Sequence, residues 1–316
     1  MDETVMVTGG SGFVGAHLVK TLAERGYKVI NFDAVGPSGF RKWLLSGIKG
    51  QVIFRDGSLL DLPALLLAIK QGEVKSLIHL GALLPGSSPM MTMKVNVEGT
   101  INVLEAARIM DLKRVIFASS MGVYAPKQYE PVDEEHPKLP QTPYGSSKAA
   151  GEFFGFNFAS EYGVDFIALR FPMIYGGGTY LPFLYVIDIV ENAVKGVPSK
   201  FETGLDVSYD YIYVKDVVQS YILTLETKDK IPHRAYNIGS GQITSVRRTA
   251  EIVKSFIPKA IIEIRPGMTE IDSSWARLFG LLDIERARKE LRYEPKYDMR
   301  SGIEDYIKEF KAFSEK

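Results

Sequence analysis

The stretch Thr8-Gly9-Gly10-Ser11-Gly12-Phe13-Val14-Gly15 decides the fold. It follows a β-branched run at 4–8 and precedes an amphipathic stretch at 14–25, so its glycines fall where a strand turns into a helix. Gly9, Gly12 and Gly15 let that turn tighten, let backbone approach a pyrophosphate at the helix N-terminus, and let helix pack on strand. A second strand-like run at 28–32 ends on Asp33. A carboxylate there can accept both hydroxyls of an adenosine ribose and would repel a 2′-phosphate. Ala34 and Val35 follow without an arginine, so the pattern predicts NAD rather than NADP.

Outward from this unit the same rhythm continues. Strand-like runs at 51–54, 76–79, 114–118 and 166–170 alternate with helical stretches at 63–70, 93–110 and 144–162. Continuous apolar strands separated by helices predict an α/β fold, a Rossmann-type doubly wound parallel sheet buried on both faces. After Phe171 the rhythm loosens around Gly176-Gly177-Gly178, Pro198 and Gly204. We therefore expect an NAD-binding domain over 1–170 and a smaller, mainly substrate-binding domain over 171–316, the chain returning to the first domain around 207–225. The proline-spaced segment 126–143 reads as an ordered loop.

Composition excludes several classes of function. The 316 residues suffice for about two domains with a sizeable core. Thirty-eight basic residues balance thirty-eight acidic ones, which leaves no basic footprint for nucleic acid or anionic lipid. There are no cysteines, hence no disulfide, thiol nucleophile or Cys-based metal site. The four histidines, His17, His79, His136 and His233, are scattered without metal-ligand spacing, and no metal is expected. No apolar run approaches the ~20 residues that span a bilayer, and no signal-peptide pattern opens the chain. The expectation is a cytoplasmic protein acting on a small-molecule substrate.

Tyr144-Gly-Ser-Ser-Lys148 places a phenol and an ammonium one helical turn apart, where the lysine can lower the phenol's pKa and make it an acid/base. The strand at 114–118 runs into Ser119-Ser120, at the carboxyl edge where such sheets bind ligands, and a hydroxyl there can hydrogen-bond the substrate oxygen. His79 follows a buried strand and reads as a structural hydrogen-bonder, since Tyr144 already supplies the acid/base.

Together with TGGSGFVG and Asp33, the segments HLGA at 79–82, VNVEGTINVLEAA at 95–107, SSMGVY at 119–124, YGSSK at 144–148 and LRFPMIYG at 169–176 resemble an extended short-chain dehydrogenase/reductase of the NAD-dependent epimerase/dehydratase family. Weaker echoes, DYIYVKDV at 210–217, NIGSG at 237–241 and RPG at 265–267, extend the resemblance over essentially the whole chain. It implies tightly held NAD and a catalytic set of Ser120, Tyr144 and Lys148, with Lys148 also holding the nicotinamide ribose. It implies further cofactor contacts from Phe13 and Val14, from Ser58 and Leu59, from Leu80, Gly81 and Ala82, and from Asn96 and Pro172. Ser58 stands where the family usually has an Asp near the adenine amino group. A homodimer is also implied, through a four-helix bundle of the 93–110 and 144–162 helices across a two-fold axis.

The departures bear on substrate. Met121-Gly122 follow Ser120 where sugar-nucleotide 4,6-dehydratases carry Asp-Glu, so dehydration lacks its acid and base. Members that grip a nucleotide diphosphate usually carry an Asn where Met173 stands and an Arg where Tyr209 stands; only Arg265 matches. The expected substrate side is therefore Ser120, Met121, Met173, Tyr209 and Arg265. SSMGVY and LRFP also resemble the threonine-dehydrogenase-like branch. The leading expectation is a dehydrogenase of a small hydroxy acid, amino acid or sugar-type alcohol. A nucleotide-sugar 4-epimerase is the alternative, and a non-enzymatic NAD(H) sensor a remote one.

Overall fold

The computed structural model describes residues 3–48, 50–179, 184–228 and 231–315. Seven parallel strands form the main sheet: β1 (Thr4–Thr8), β2 (Lys28–Asp33), β3 (Val52–Asp56), β4 (Val74–His79), β5 (Arg114–Ser120), β6 (Phe166–Phe171) and, much later in the chain, β10 (Ala235–Asn237). Their order, β10-β6-β5-β4-β1-β2-β3, reverses direction between β1 and β4, and that switch point opens a crevice at the carboxyl ends of the strands.

Successive residues of each strand point to opposite faces, and both faces are apolar. Val5, Val7, Ile78, Ile116, Ile167 and Leu169 pack on one side; Met6, Leu77, Val115, Phe117, Phe166 and Ala168 pack on the other. Of the helices α1 (Phe13–Glu24), α2 (Gly39–Ser46), α3 (Leu62–Gly72), α4 (Pro89–Thr92), α5 (Gly99–Ile109) and α6 (Pro143–Tyr162), the first two serve the Val5 side, whereas α3, α5 and α6 serve the Met6 side. The stretch expected as one helix over 93–110 starts earlier and is not uniform. A π-helical segment, Met93–Glu98, joins α4 to α5, and within it Asn96 is buried.

Beyond the main sheet, β7 (Met173–Tyr175) and β11 (Ile243–Ser245) flank β9 (Ser208–Tyr213) in a three-stranded sheet, while β8 (Ser199–Phe201) pairs with β12 (Ile262–Ile264). Five helices of this region, α7 (Tyr185–Lys195), α9 (Val246–Phe256), α10 (Glu270–Leu278), α11 (Glu285–Leu291) and α12 (Met299–Ser314), lie around these sheets. The remaining one, α8 (Val214–Glu226), packs against α1 and β5, and β10 then joins the edge of the main sheet beside β6. Among the described residues no helix is long and apolar enough to cross a membrane.

Candidate active site

The glycine loop closes on itself as its residue types demand. Gly9 has φ +70°, and a Cβ on Gly15 would stand 2.2 Å from the Gly9 carbonyl oxygen, so the first turn of α1 can lie against the loop only without a side chain there. Gly12 caps α1 without a side-chain hydrogen bond, and no acid sits in the first turn. The N–H groups of Phe13, Val14 and Gly15 therefore keep the open, electropositive helix end that a pyrophosphate fits. Asp33, at the end of β2, accepts from the Ser11 N–H at 3.0 Å and the Val35 N–H at 3.2 Å. Two backbone donors fix the carboxylate and leave it acceptor capacity for ribose hydroxyls.

Loops after β1, β3 and β4 converge here. A Cβ on Gly9 would meet the Gly81 nitrogen at 2.7 Å, and one on Gly81 would meet Leu59 at 3.0 Å. The Leu80 N–H donates to Thr8 O, and Asn102 holds the Leu59 carbonyl. Ser58 is exposed and its hydroxyl accepts from the Leu60 N–H. Asn96 is buried, and its amide is spent on the protein. It accepts from the Leu83 N–H at 2.7 Å and donates to Leu83 O and Ser147 Oγ, both at 3.0 Å. Asn96 thus fixes the loop that follows Ala82 rather than offering a free amide. Pro172 is buried between β6 and β7.

The catalytic candidates are brought together by β5 and α6. Thr142 caps α6 by accepting from the Gly145 N–H at 3.0 Å, and Pro143 occupies the first helical position. Gly145 then lies against the turn after β5; a Cβ on it would come within 2.2 Å of Gly122 O. That backbone contact brings the start of α6, which carries Tyr144, against the turn that Ser120 opens; Ser120 Oγ caps this short 3-10 turn, Met121–Val123, by accepting from the Gly122 N–H. One turn along α6, the Lys148 ammonium donates to Ala118 O at 2.7 Å and stands 5.7 Å from the centre of the Tyr144 ring.

In the protein alone, burial dominates both groups. It pushes the Tyr144 phenol up to about 12 and the Lys148 ammonium down to about 7, the latter opposed by the Glu152 carboxylate. The expected lowering of the phenol by Lys148 is not present in the protein alone, where desolvation sets the direction of the shift. His79 is a structural group. Its ring bonds Thr8 Oγ1 at 2.7 Å and Thr100 Oγ1 at 3.0 Å, and burial, assisted by Lys148, lowers its pKa to about 3.

Behind the catalytic groups lies a buried network that the sequence reading did not find. Arg170, on β6, pairs with both oxygens of Glu152 at 2.8 and 2.6 Å, both side chains being about 2% exposed. Ser119 Oγ also donates to Glu152, and Arg170 donates to the Tyr124 hydroxyl at 2.9 Å. Tyr124 donates to Asn237 on β10, whose N–H meets Glu134. The signal was present as Glu152, four residues past Lys148, and as the arginine of LRFP.

On the substrate side a cavity of about 240 Å³ gathers three of the expected residues, Met121, Met173 and Tyr209. Tyr209 offers its ring, while its hydroxyl donates to Asp272 Oδ1 at 3.3 Å. Arg265 does not belong to this site. It lies one residue past the end of β12, is exposed, pairs with Glu202, and is absent from the cavity wall. The wall instead carries Glu130, Asp206 and Asp210, with Lys127 as the cation among the described lining residues. Lys127 lies 3.5 Å from Glu130, and burial lifts the Asp210 carboxyl to about 6. Among the described residues no cluster of potential metal ligands occurs.

A sequence profile described as the NAD dependent epimerase/dehydratase family matches residues 5–239. A putative UDP-glucose 4-epimerase of Methanocaldococcus jannaschii is 32% identical, the match covering 96% of this chain and 97% of that protein. Among solved structures, UDP-glucose 4-epimerase of Thermotoga maritima with UDP-glucose superposes with a TM-score of 0.83 at 26% identity, over 98% of this chain and 99% of that one. L-threonine dehydrogenase of Clostridium difficile superposes with a TM-score of 0.84, also at 26% identity, over 98% of both chains. With the family profile matched over residues 5–239 and a relative 32% identical along nearly the whole chain, the chain belongs to the NAD-dependent epimerase/dehydratase family.

Proposed function

We propose that this chain interconverts a secondary alcohol and its ketone at Ser120, Tyr144 and Lys148, acting as a dehydrogenase on a small hydroxylated substrate that carries no diphosphate. The cavity wall carries the substrate half of this reading. Two phosphates leaving water need cations or charge-assisted donors. Here Glu130, Asp206 and Asp210 face one Lys127, Met173 has no donor, and the Tyr209 proton is given to Asp272. About 240 Å³ is also below the roughly 300–1,000 Å³ of pockets for larger ligands.

When bound, NAD supplies the two-electron acceptor that takes hydride from the carbinol carbon. Tyr144 receives the hydroxyl proton in that step, and Ser120 donates a hydrogen bond to the substrate oxygen. Lys148, held in place by Ala118 O, would offer its ammonium to the nicotinamide ribose and to the phenolate form in which Tyr144 receives that proton and from which it becomes the phenol. The N–H groups behind Gly12 take the pyrophosphate and Asp33 the adenosine ribose. Residues 1–170 with α8 and β10 form the cofactor side, and most of 171–316 the substrate side.

Asp33→Ala is expected to weaken NADH binding about tenfold or more, the scale of a lost hydrogen bond to a charged group, while NADPH binding is unchanged or improved. Calorimetric titration of both cofactors checks this.

A second reading, 4-epimerisation of a nucleotide sugar, uses the same oxidation, the ketone turning over in the site before reduction. The names of the Methanocaldococcus relative and the Thermotoga structure favour it, as that of the Clostridium structure favours the first. Side-by-side assays separate them. NADH formation from small hydroxy acids, L-threonine, free sugars or uronates supports the dehydrogenase. Interconversion of UDP-glucose and UDP-galactose without NADH release supports the epimerase.

The assembly we propose is a homodimer through the α4–α5 and α6 helices. Met90, Met93, Phe153 and Phe154 are exposed there, whereas Phe156 and Phe158 turn inward against the sheet. A monomeric mass by light scattering at micromolar concentration would reject it.

A further inference from the structure

We infer that Glu152 is a positioning residue for the reaction: its buried carboxylate keeps Lys148 protonated in the working pH range, and Arg170 sets how strongly it does so. The inference rests on the role given above to Tyr144 and Lys148.

The geometry places three groups on one face of α6, since Tyr144, Lys148 and Glu152 follow at intervals of four residues. Two adjacent residues of β5 tie the last two to the same strand end. Ala118 O receives the Lys148 ammonium, and Ser119 Oγ donates to Glu152. All of Lys148, Glu152 and Arg170 are at most 3% exposed, so their charges act on one another with little screening by water.

Other groups do not offer the lysine a counter-charge. His79, facing it from β4, is neutral; Tyr144 on α6 and Tyr221 on α8 hold protonated phenols raised by burial. Arg170, from β6, is a second cation. Among the described residues Glu152 is thus the electrostatic influence that favours the charged lysine, against a burial penalty that favours the neutral one. It is also shared, because Arg170 takes both of its oxygens. Removing the carboxylate leaves Lys148 facing only desolvation and a neighbouring cation. Removing the guanidinium gives Lys148 the whole carboxylate.

NADH serves as the probe, titrated by fluorescence into the full-length protein from pH 6 to 10. In the wild type its affinity falls with rising pH as Lys148 loses its proton. In Glu152→Gln the midpoint of that fall moves down by about one pH unit or more, a roughly tenfold weaker affinity just above the wild-type midpoint. Glu152→Asp, which keeps the charge, restores the midpoint. Arg170→Gln moves it upward, and reads the same coupling with opposite sign should Glu152→Gln fail to accumulate as folded protein. A uniform loss of affinity with an unmoved midpoint in either variant overturns the inference. Lys148→Met separates the two levels: if it keeps the wild-type pH dependence, the role of Lys148 itself falls, independently of Glu152.

Discussion

Tyr144→Phe is expected to bind NADH with nearly wild-type affinity and to turn over about 10³-fold more slowly, the scale of a lost general acid/base. The ring that packs at the start of α6 stays, and only the ionisable hydroxyl goes. No neighbour can take over. Both nitrogens of His79 are engaged with Thr8 and Thr100, and burial holds that ring neutral down to about pH 3. Ser120 Oγ already accepts from the Gly122 N–H, and a serine hydroxyl is far too weak an acid to serve near neutral pH. Steady-state kcat and NADH fluorescence titration measure the two halves. Turnover within tenfold of wild type would assign the proton to another group.

The second large effect is on stability. Glu152→Ala should lower the free energy of unfolding by about 3–5 kcal/mol, because it leaves the Arg170 guanidinium buried without its counter-ion. Arg170 would keep only the Tyr124 hydroxyl and a 3.4 Å contact with Glu134 O. The double variant Glu152→Ala, Arg170→Met should recover part of the loss, since no charge is then stranded. Urea unfolding at pH 7 reads both. A cost below about 1 kcal/mol would mean that water reaches the pair, contrary to the burial of both side chains.

Why some of this could be read from the sequence and some could not follows from the range of the interactions. The glycine loop, Asp33 and the Tyr-x-x-x-Lys turn are local: each depends on residues within one strand, turn or helix, so spacing alone reveals them. The apolar alternation of β1 and β4 to β6 is local too, and it announces a sheet covered on both sides. Glu152 and Arg170 are eighteen residues apart and meet only because α6 folds back against the following strand β6. The strand β10, sixty-four residues beyond the end of β6, pairs with it, and a three-residue strand carries too little periodicity to be recognised. Position in a motif misled for Arg265, because where its side chain goes, just past the end of β12, depends on Glu202, sixty-three residues earlier in the chain. It misled in a subtler way for Asn96, whose amide the π-helical segment directs to Leu83 and Ser147.

On the proposed function, the substrate side does not hold a diphosphate. Titrating UDP into NAD-saturated protein by calorimetry tests it without knowledge of the substrate. The acidic wall of Glu130, Asp206 and Asp210, with Arg265 turned away, predicts no binding up to millimolar UDP. Saturable binding with a Kd in the micromolar range would contradict it, and would place the phosphates on donors other than Lys127 and the Tyr209 hydroxyl.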